Sequence, residues 1–305
     1  MAMKLPVWTA NGALLLCAVF WGTGFVAQRL AAQQMGDTPF TFNAARFLIG
    51  ALLLLPFVIM RPSLRRWSTW RGGSIAAVAM VIAASLQQKA MATVAPGTAG
   101  FITGTYVVWT PLLGLLWGMR VSKRIVLGAL LCLGGLWVMS IHGQPDIATG
   151  DLYLIGCAIM WAVHVHVIGW CASRDDALGI SLVQLLVTGA LSATIALASE
   201  PVSGEMLRGG AGPILFSAVF SIALAFTLQV IAQSSASPSH AAVLLSLESV
   251  FAEISGALWL HESFDGRKWI GAALMLVGAL VATVTAPRGT VPPRQSSPPS
   301  PRESG

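Results

Sequence analysis

Residues 100–118 read GFITGTYVVWTPLLGLLWG, and residues 237–263 read SPSHAAVLLSLESVFAEISGALWLHES. Laid over each other at an offset of 142 positions, they bring Val108 onto Val250, Gly114 onto Gly256 and Trp117 onto Trp259. Upstream, Pro96 meets Pro238 and Ala99 meets Ala241, and Leu86, Gln87 and Ala90 meet Leu228, Gln229 and Ala232. One inserted residue later, Gly128 and Gly135 fall on Gly271 and Gly278, and Trp21 and Trp161 begin a weaker match nearer the start of each half. Ala, Leu and Gly agree by chance in an apolar chain, so the matched Gln, Pro and Trp carry the case for an internal repeat.

Both stretches are long apolar runs, and the whole chain is built of them. Of 305 residues, 55% are hydrophobic and 10% charged, against about a quarter charged in a soluble domain, and the mean hydropathy is +0.75. A water-soluble core is excluded, and an all-α polytopic membrane protein is expected. Apolar runs and their punctuation predict ten transmembrane helices near 9–31, 39–60, 72–93, 97–118, 124–142, 150–171, 178–199, 211–233, 239–260 and 268–286. The first run is too long for the h-region of a signal peptide and is read as a span. The net charge of +6 sits in short clusters between runs, as in loops on one membrane face, so no nucleic-acid partner is expected.

Counting Lys and Arg in alternate connections sets the orientation. Lys4, Arg61, Arg65, Arg66, Arg71, Arg120, Lys123, Arg124, Arg174, Arg288, Arg294 and Arg302 fall on one side, twelve in all, against five on the other (Arg29, Lys89, Arg208, Arg267 and Lys268). Both termini are therefore expected in the cytoplasm, with the chain multi-pass in the cell inner membrane. Residues 9–142 form the first five-helix repeat and 150–286 the second. Residues 287–305, PRGTVPPRQSSPPSPRESG, form a disordered cytoplasmic tail. Five spans is an odd number, so the second copy enters the membrane from the opposite side. Inverted repeats of this kind are characteristic of secondary transporters, with a midplane site between the halves.

The chain also resembles the EamA-type members of the drug/metabolite transporter superfamily, over roughly residues 10–286. The resemblance rests on FWGTGFVAQ (20–28), NAARFLIGALLLLP (43–56), the two stretches quoted above and the Gly-spaced last helix of each half. It implies export of small metabolites, amino-acid-like or drug-like, across the cytoplasmic membrane by alternating access, driven by protons or by the substrate gradient. Two departures stand out. The Glu that closes helix 4 in this family is replaced around Met119 and Arg120, although its helix 9 counterpart is present as Glu262, and Ser249 stands where a Pro commonly follows the helix 9 Glu.

Ionisable groups inside spans are costly unless paired or facing water, so each is a candidate functional residue. Arg46 and Glu253 lie at matching depth by the 1.5 Å rise per residue. They read either as a coupling group or as a buried ion pair that fixes helix packing. Glu248 lies near the midplane, with Tyr106 as its repeat equivalent, and is the candidate for handling substrate or protons. His164 and His166 are about 200° apart on one helix and cannot chelate one ion together, so no metal site is expected. His164, one turn from Trp161, reads either as a cavity group or as a packing histidine, and His240 as a cap or gate residue. Gln87 and Gln229 either donate to substrate or join neighbouring helices, and Trp21, Tyr106, Trp109 and Trp161 supply a candidate aromatic lining. The four cysteines, Cys17, Cys132, Cys157 and Cys171, read as small apolar residues rather than disulfides.

Other classes fit less well. The sequence has no intramembrane serine elbow, zinc-binding His-Glu-x-x-His or Walker A motif, so it is not expected to be an enzyme, to need a cofactor or to hydrolyse ATP. The alternatives are an uptake permease for a nucleotide-type or other metabolite and a non-transporting membrane scaffold. Substrate, direction, coupling ion and the choice between monomer and homodimer stay open.

Overall fold

The computed structural model describes residues 5–140, 148–263 and 265–283, and every regular element among them is helical. The expected tail lies outside the described residues. α1 (Val7–Met35) stops at Gly36, whose φ of 73° lies in the left-handed region that glycine enters without a Cβ clash. α2 (Pro39–Val58) opens on a proline at its first position, where the missing N–H would have had no helical partner. α3 (Trp67–Ala90), α4 (Pro96–Gly104), α5 (Tyr106–Leu116) and α6 (Lys123–Ser140) follow. After them come α7 (Thr149–Ala172), α8 (Ala177–Ser199), the short α9 (Gly204–Gly209), α10 (Ala211–Phe216), a π-helical stretch Ser217–Phe226 and α11 (Thr227–Gln233). The chain ends in α12 (Pro238–Leu245), α13 (Glu248–Leu260) and α14 (Gly266–Thr283).

Among the described residues, nine single or composite helices are long and apolar enough to cross a membrane. Three spans expected to be simple are composite. The run at 97–118 is α4 plus α5, that at 239–260 is α12 plus α13, and that at 211–233 passes through ten residues of π-helix. Hydropathy cannot see these interruptions, because apolar content continues straight across them.

The packing is inside-out relative to a soluble protein. Gln28, Asn43, Arg46, Gln184, Gln229 and Glu248 are buried, while Phe57 is 73% exposed and Leu116 80%. Such a surface suits lipid tails, which reward no burial of apolar groups, and helix association then rests on close packing and internal hydrogen bonds. The two halves of the chain interleave: α1 packs on α13 and the π-helical stretch, α3 on α7 and α8, and α2 along α8.

The closest approach is between α6 and α14. A Cβ at Gly128 would lie 2.7 Å from the Gly278 carbonyl oxygen, and one at Gly278 would lie 2.7 Å from the Gly128 carbonyl oxygen. Gly135 and Gly271 crowd each other in the same reciprocal way. As residue numbers rise along α6 they fall along α14, so the helices cross antiparallel, and four glycines let their backbones touch. Leucine at Gly128 or Gly135 should lower the thermal midpoint of the purified protein, an overpacking cost of about 1–3 kcal/mol. Leucine at Gly134, which has nothing within 4 Å of its Cβ position, should not. Equal effects at all three positions would mean that the α6–α14 contact is not glycine-dependent.

Candidate functional site

Two helix breaks fall at matching places. Between α4 and α5, Thr105 tightens the turn with φ −61° and ψ −12°, and its N–H bonds to the Ile102 carbonyl. Between α12 and α13, Ser246 and Leu247 do the same, with ψ near −15° and −11°. Tyr106 is therefore the first residue of α5 and Glu248 the first of α13, the two positions being 142 apart. Hydroxyls add bonds to carbonyls beside each break: Thr105 Oγ1 donates to Ile102 O (2.6 Å), Ser246 Oγ to Val243 O (2.8 Å), and Ser249 Oγ crosses to Gly100 O (2.6 Å).

A cavity of about 40 Å³ lies beside the breaks, lined from α1 by Trp21 and Gln28, from α2 by Arg46 and Phe47, and from α3 by Gln87. Tyr106, Trp161 and Val165 complete one side; Ser221, Ile222 and Phe226 of the π-helical stretch, Gln229, Leu245 and Glu248 complete the other. At about 10–15 Å³ per water this holds two to four waters, so a metabolite enters only if helices separate. Trp21, Trp161 and Phe226 form an aromatic wall: Trp21 is 4.8 Å from Phe226, and Trp161 stacks on Phe226 at 5.7 Å. Both indoles are held. Trp21 Nε1 donates to Ser221 O and Trp161 Nε1 to Gln87 Oε1, each at 2.9 Å.

Among the described residues, two buried polar atoms of this lining, Gln28 Oε1 and Gln229 Oε1, have no hydrogen-bond partner. An unsatisfied buried group costs about 1–3 kcal/mol, so the cavity is suited to a polar occupant. The candidate residues thus divide. Trp21, Gln87, Tyr106, Trp161, Gln229, Glu248 and Arg46 come together around one space. His164 stands behind the wall, its Nε2 donating to Gln184 Oε1 (3.0 Å) and its ring edge-on to Trp161. Trp109 is half-buried against the apolar core and does not reach the cavity. His240 Nε2 donates to Asn11 Oδ1 (2.8 Å) and joins the start of α12 to α1. Gln28, Ser221 and Phe226 are not among the residues the sequence singles out, although Phe226 lies three residues before Gln229, on the face that ordinary helical spacing shares with it.

The expected pairing of Arg46 with Glu253 is not made. Glu253 pairs with Lys268 at 2.5 Å, and the ammonium also donates to Ser263 O (2.6 Å). Depth arithmetic fixes height in the membrane but not direction around the helix, and Glu253 points to α14. Beside this pair, burial and then the nearby Glu253 raise the Glu262 carboxyl above its ordinary range. At the other end of the bundle, Arg61 pairs with Asp176 at 3.0 Å and Arg66 with Asp175 at 3.7 Å, joining the α2–α3 connection to the α7–α8 connection.

The sequence model of the EamA-like transporter family matches this chain twice, at residues 8–141 and 148–284. An uncharacterized transporter of Archaeoglobus fulgidus is 29% identical over 90% of this chain and 86% of its own length. The uncharacterized transporter YwfM of Bacillus subtilis is 28% identical over 90% of this chain and 93% of its own. A WAT1-related chloroplastic protein of Arabidopsis thaliana is 24% identical over 88% of this chain and 68% of its own. A solved crystal structure shares the fold at a TM-score of 0.71 and 24% identity, covering 90% of this chain and 96% of that one.

Lys268→Met should destabilise the protein by about 3–5 kcal/mol, because it strands a buried Glu253 carboxylate. Adding Glu253→Gln should restore most of that loss, giving a strongly non-additive double-mutant cycle in thermal unfolding. Additive effects would show that the two side chains do not act as a pair.

Proposed function

The chain belongs to the EamA-like transporter family, and we propose that it is a secondary transporter exporting small metabolites across the cell inner membrane by alternating access. In this reading ten spans, the nine above plus α6, form two five-helix repeats of inverted topology, residues 9–142 and 150–286, with both termini in the cytoplasm. Three features support the repeat: the double family match, the helix breaks 142 residues apart, and the reciprocal glycine contacts of α6 and α14, in which each helix meets its counterpart through equivalent positions. Two helices related by a twofold axis in the membrane plane cross antiparallel in that way.

The observation that carries the transport reading is the small cavity between two broken helices, headed by Tyr106 on one side and Glu248 on the other. Discontinuous helices at the interface of two repeats are where secondary transporters place substrate and coupling ions. A cavity this small behaves as a closed intermediate, from which rocking of one half against the other opens either face. Glu248 is the group through which substrate or protons are handled. Trp21, Trp161 and Phe226 hold the body of the solute, and Gln87 and Gln229 offer amide contacts.

Two measurements test this. In vesicles holding purified protein, Glu248→Gln should abolish proton-driven efflux of a transported solute from a radiolabelled metabolite panel while leaving exchange at equal pH. Wild-type flux and wild-type pH dependence in a well-folded Glu248→Gln protein would remove the residue from the mechanism. For topology, a reporter active only in the cytoplasm should work when fused after Arg66, Arg124 or Pro287 and fail within 143–149. Activity at the 143–149 fusion would overturn both the ten-span count and the inverted repeat.

A further inference from the structure

We propose that Arg46 is an anion-recognising group, and that the solutes this cavity accepts carry an acidic group, carboxylate or phosphate, that docks on its guanidinium. The inference rests on the transport reading above and narrows its substrate class. Arg46 is 4% exposed and lines the cavity. Of its five N–H donors, Nε is committed to Asn43 Oδ1 at 3.0 Å. Asn43 is itself oriented by its amide, which donates to Ser85 Oγ at 3.3 Å. The guanidinium carbon lies 4.8 Å from the Phe42 ring centre and 5.2 Å from that of Phe47, so aromatic faces hold the plane of the fork.

Among the described residues no carboxylate lies within ion-pair distance of Arg46, since Glu253, its depth-matched neighbour, is taken by Lys268. A buried cation without a counter-ion is strongly unfavourable, and removing one partner of a buried pair typically costs several kcal/mol. Among the described residues the two terminal nitrogens have no protein acceptor, and the side chain that carries them lines the cavity. A planar fork of donors with its Nε edge already used matches a bidentate oxyanion. The aromatic wall of Trp21, Trp161 and Phe226 supplies the surface for an apolar or flat body on the same solute. A purely cationic solute would meet Arg46 with the wrong sign. Glu248 accepts a cationic group only on a molecule that also answers Arg46.

The test uses the full-length protein in nanodiscs and four probes with a common ring: phenylacetate, benzyl phosphate, phenylacetamide and phenethylamine. Affinities are read from the concentration dependence of thermal stabilisation. At least one acid should bind about tenfold or more tightly than the isosteric amide, as expected of a charge-assisted contact, and the better acid tells carboxylate from phosphate. Arg46→Gln should remove the difference, bringing acid and amide affinities together. Asn43→Asp, which puts a carboxylate against Nε, should weaken acid binding in the same direction without removing the arginine, so the result survives if Arg46→Gln does not fold. Equal binding of acids and amide, preference for the amine, no acid binding at millimolar concentration, or an acid preference that persists in Arg46→Gln would each overturn the proposal. Acid binding that depends on Arg46, with no flux of any solute, would defeat the transport reading alone. Glu248-dependent flux with no acid preference would defeat this inference alone.

Discussion

A backbone N–H or C=O left unpaired in hydrocarbon costs several kcal/mol, so a membrane helix is interrupted only where other protein covers the interruption. The arrangement of this molecule around its centre follows from that constraint. The breaks at Thr105 and at Ser246–Leu247 lie where α4, α5, α12 and α13 meet α1, α6 and α7, and hydroxyls on the chain itself add bonds to carbonyls beside them. Ser249 uses its hydroxyl to tie α13 to Gly100 of α4. One broken helix thus helps to satisfy the other, and both direct a polar side chain into the space between them.

The sequence conveys the parts of this that are periodic or compositional. Apolar runs place the helices to within a few residues, and the offset of 142 marks the equivalence of Tyr106 and Glu248 before any coordinates are consulted. The same reading also brings Trp21, Gln87, Trp161 and Gln229 to the cavity, since each sits well inside a polar-poor helix where a large or polar side chain needs a reason. Azimuth is what it does not convey. Arg46 and Glu253 have the right heights and face different neighbours. Trp109 lies three residues from Tyr106 and packs into apolar core instead. Phe226 stands three residues before Gln229, on the face that ordinary helical spacing shares with it, but its apolar side chain does not mark it out in an apolar run, and Ser221 lies in the stretch wound as a π-helix.

Charge is distributed with similar economy. The buried Glu253 has a cation of its own, and the connections at the opposite end are tied by Asp175 and Asp176 to Ser63, Ser68, Arg61 and Arg66. Among the described residues, the buried acidic and basic side chains without an ion-pair partner are Arg46 and Glu248, and both line the cavity. Ion pairs and cavity-facing charges are thereby separated in space: the first fix helices to one another, and the second face a gap that protein does not fill.

The mismatch between Tyr106 and Glu248 has an energetic consequence. In the proposed rocking cycle, two halves with the same backbone break and identical side chains would make the two end states equal in free energy. A phenol on one side and a carboxylate on the other would lift that degeneracy and give the empty carrier of that cycle a preferred resting side. A carrier cannot shift the equilibrium between two compartments, whatever side it rests on. In such a cycle the asymmetry would set which compartment is sampled first and how fast each leg runs, while the gradients of solute and of any coupling ion alone would decide the net direction of flow.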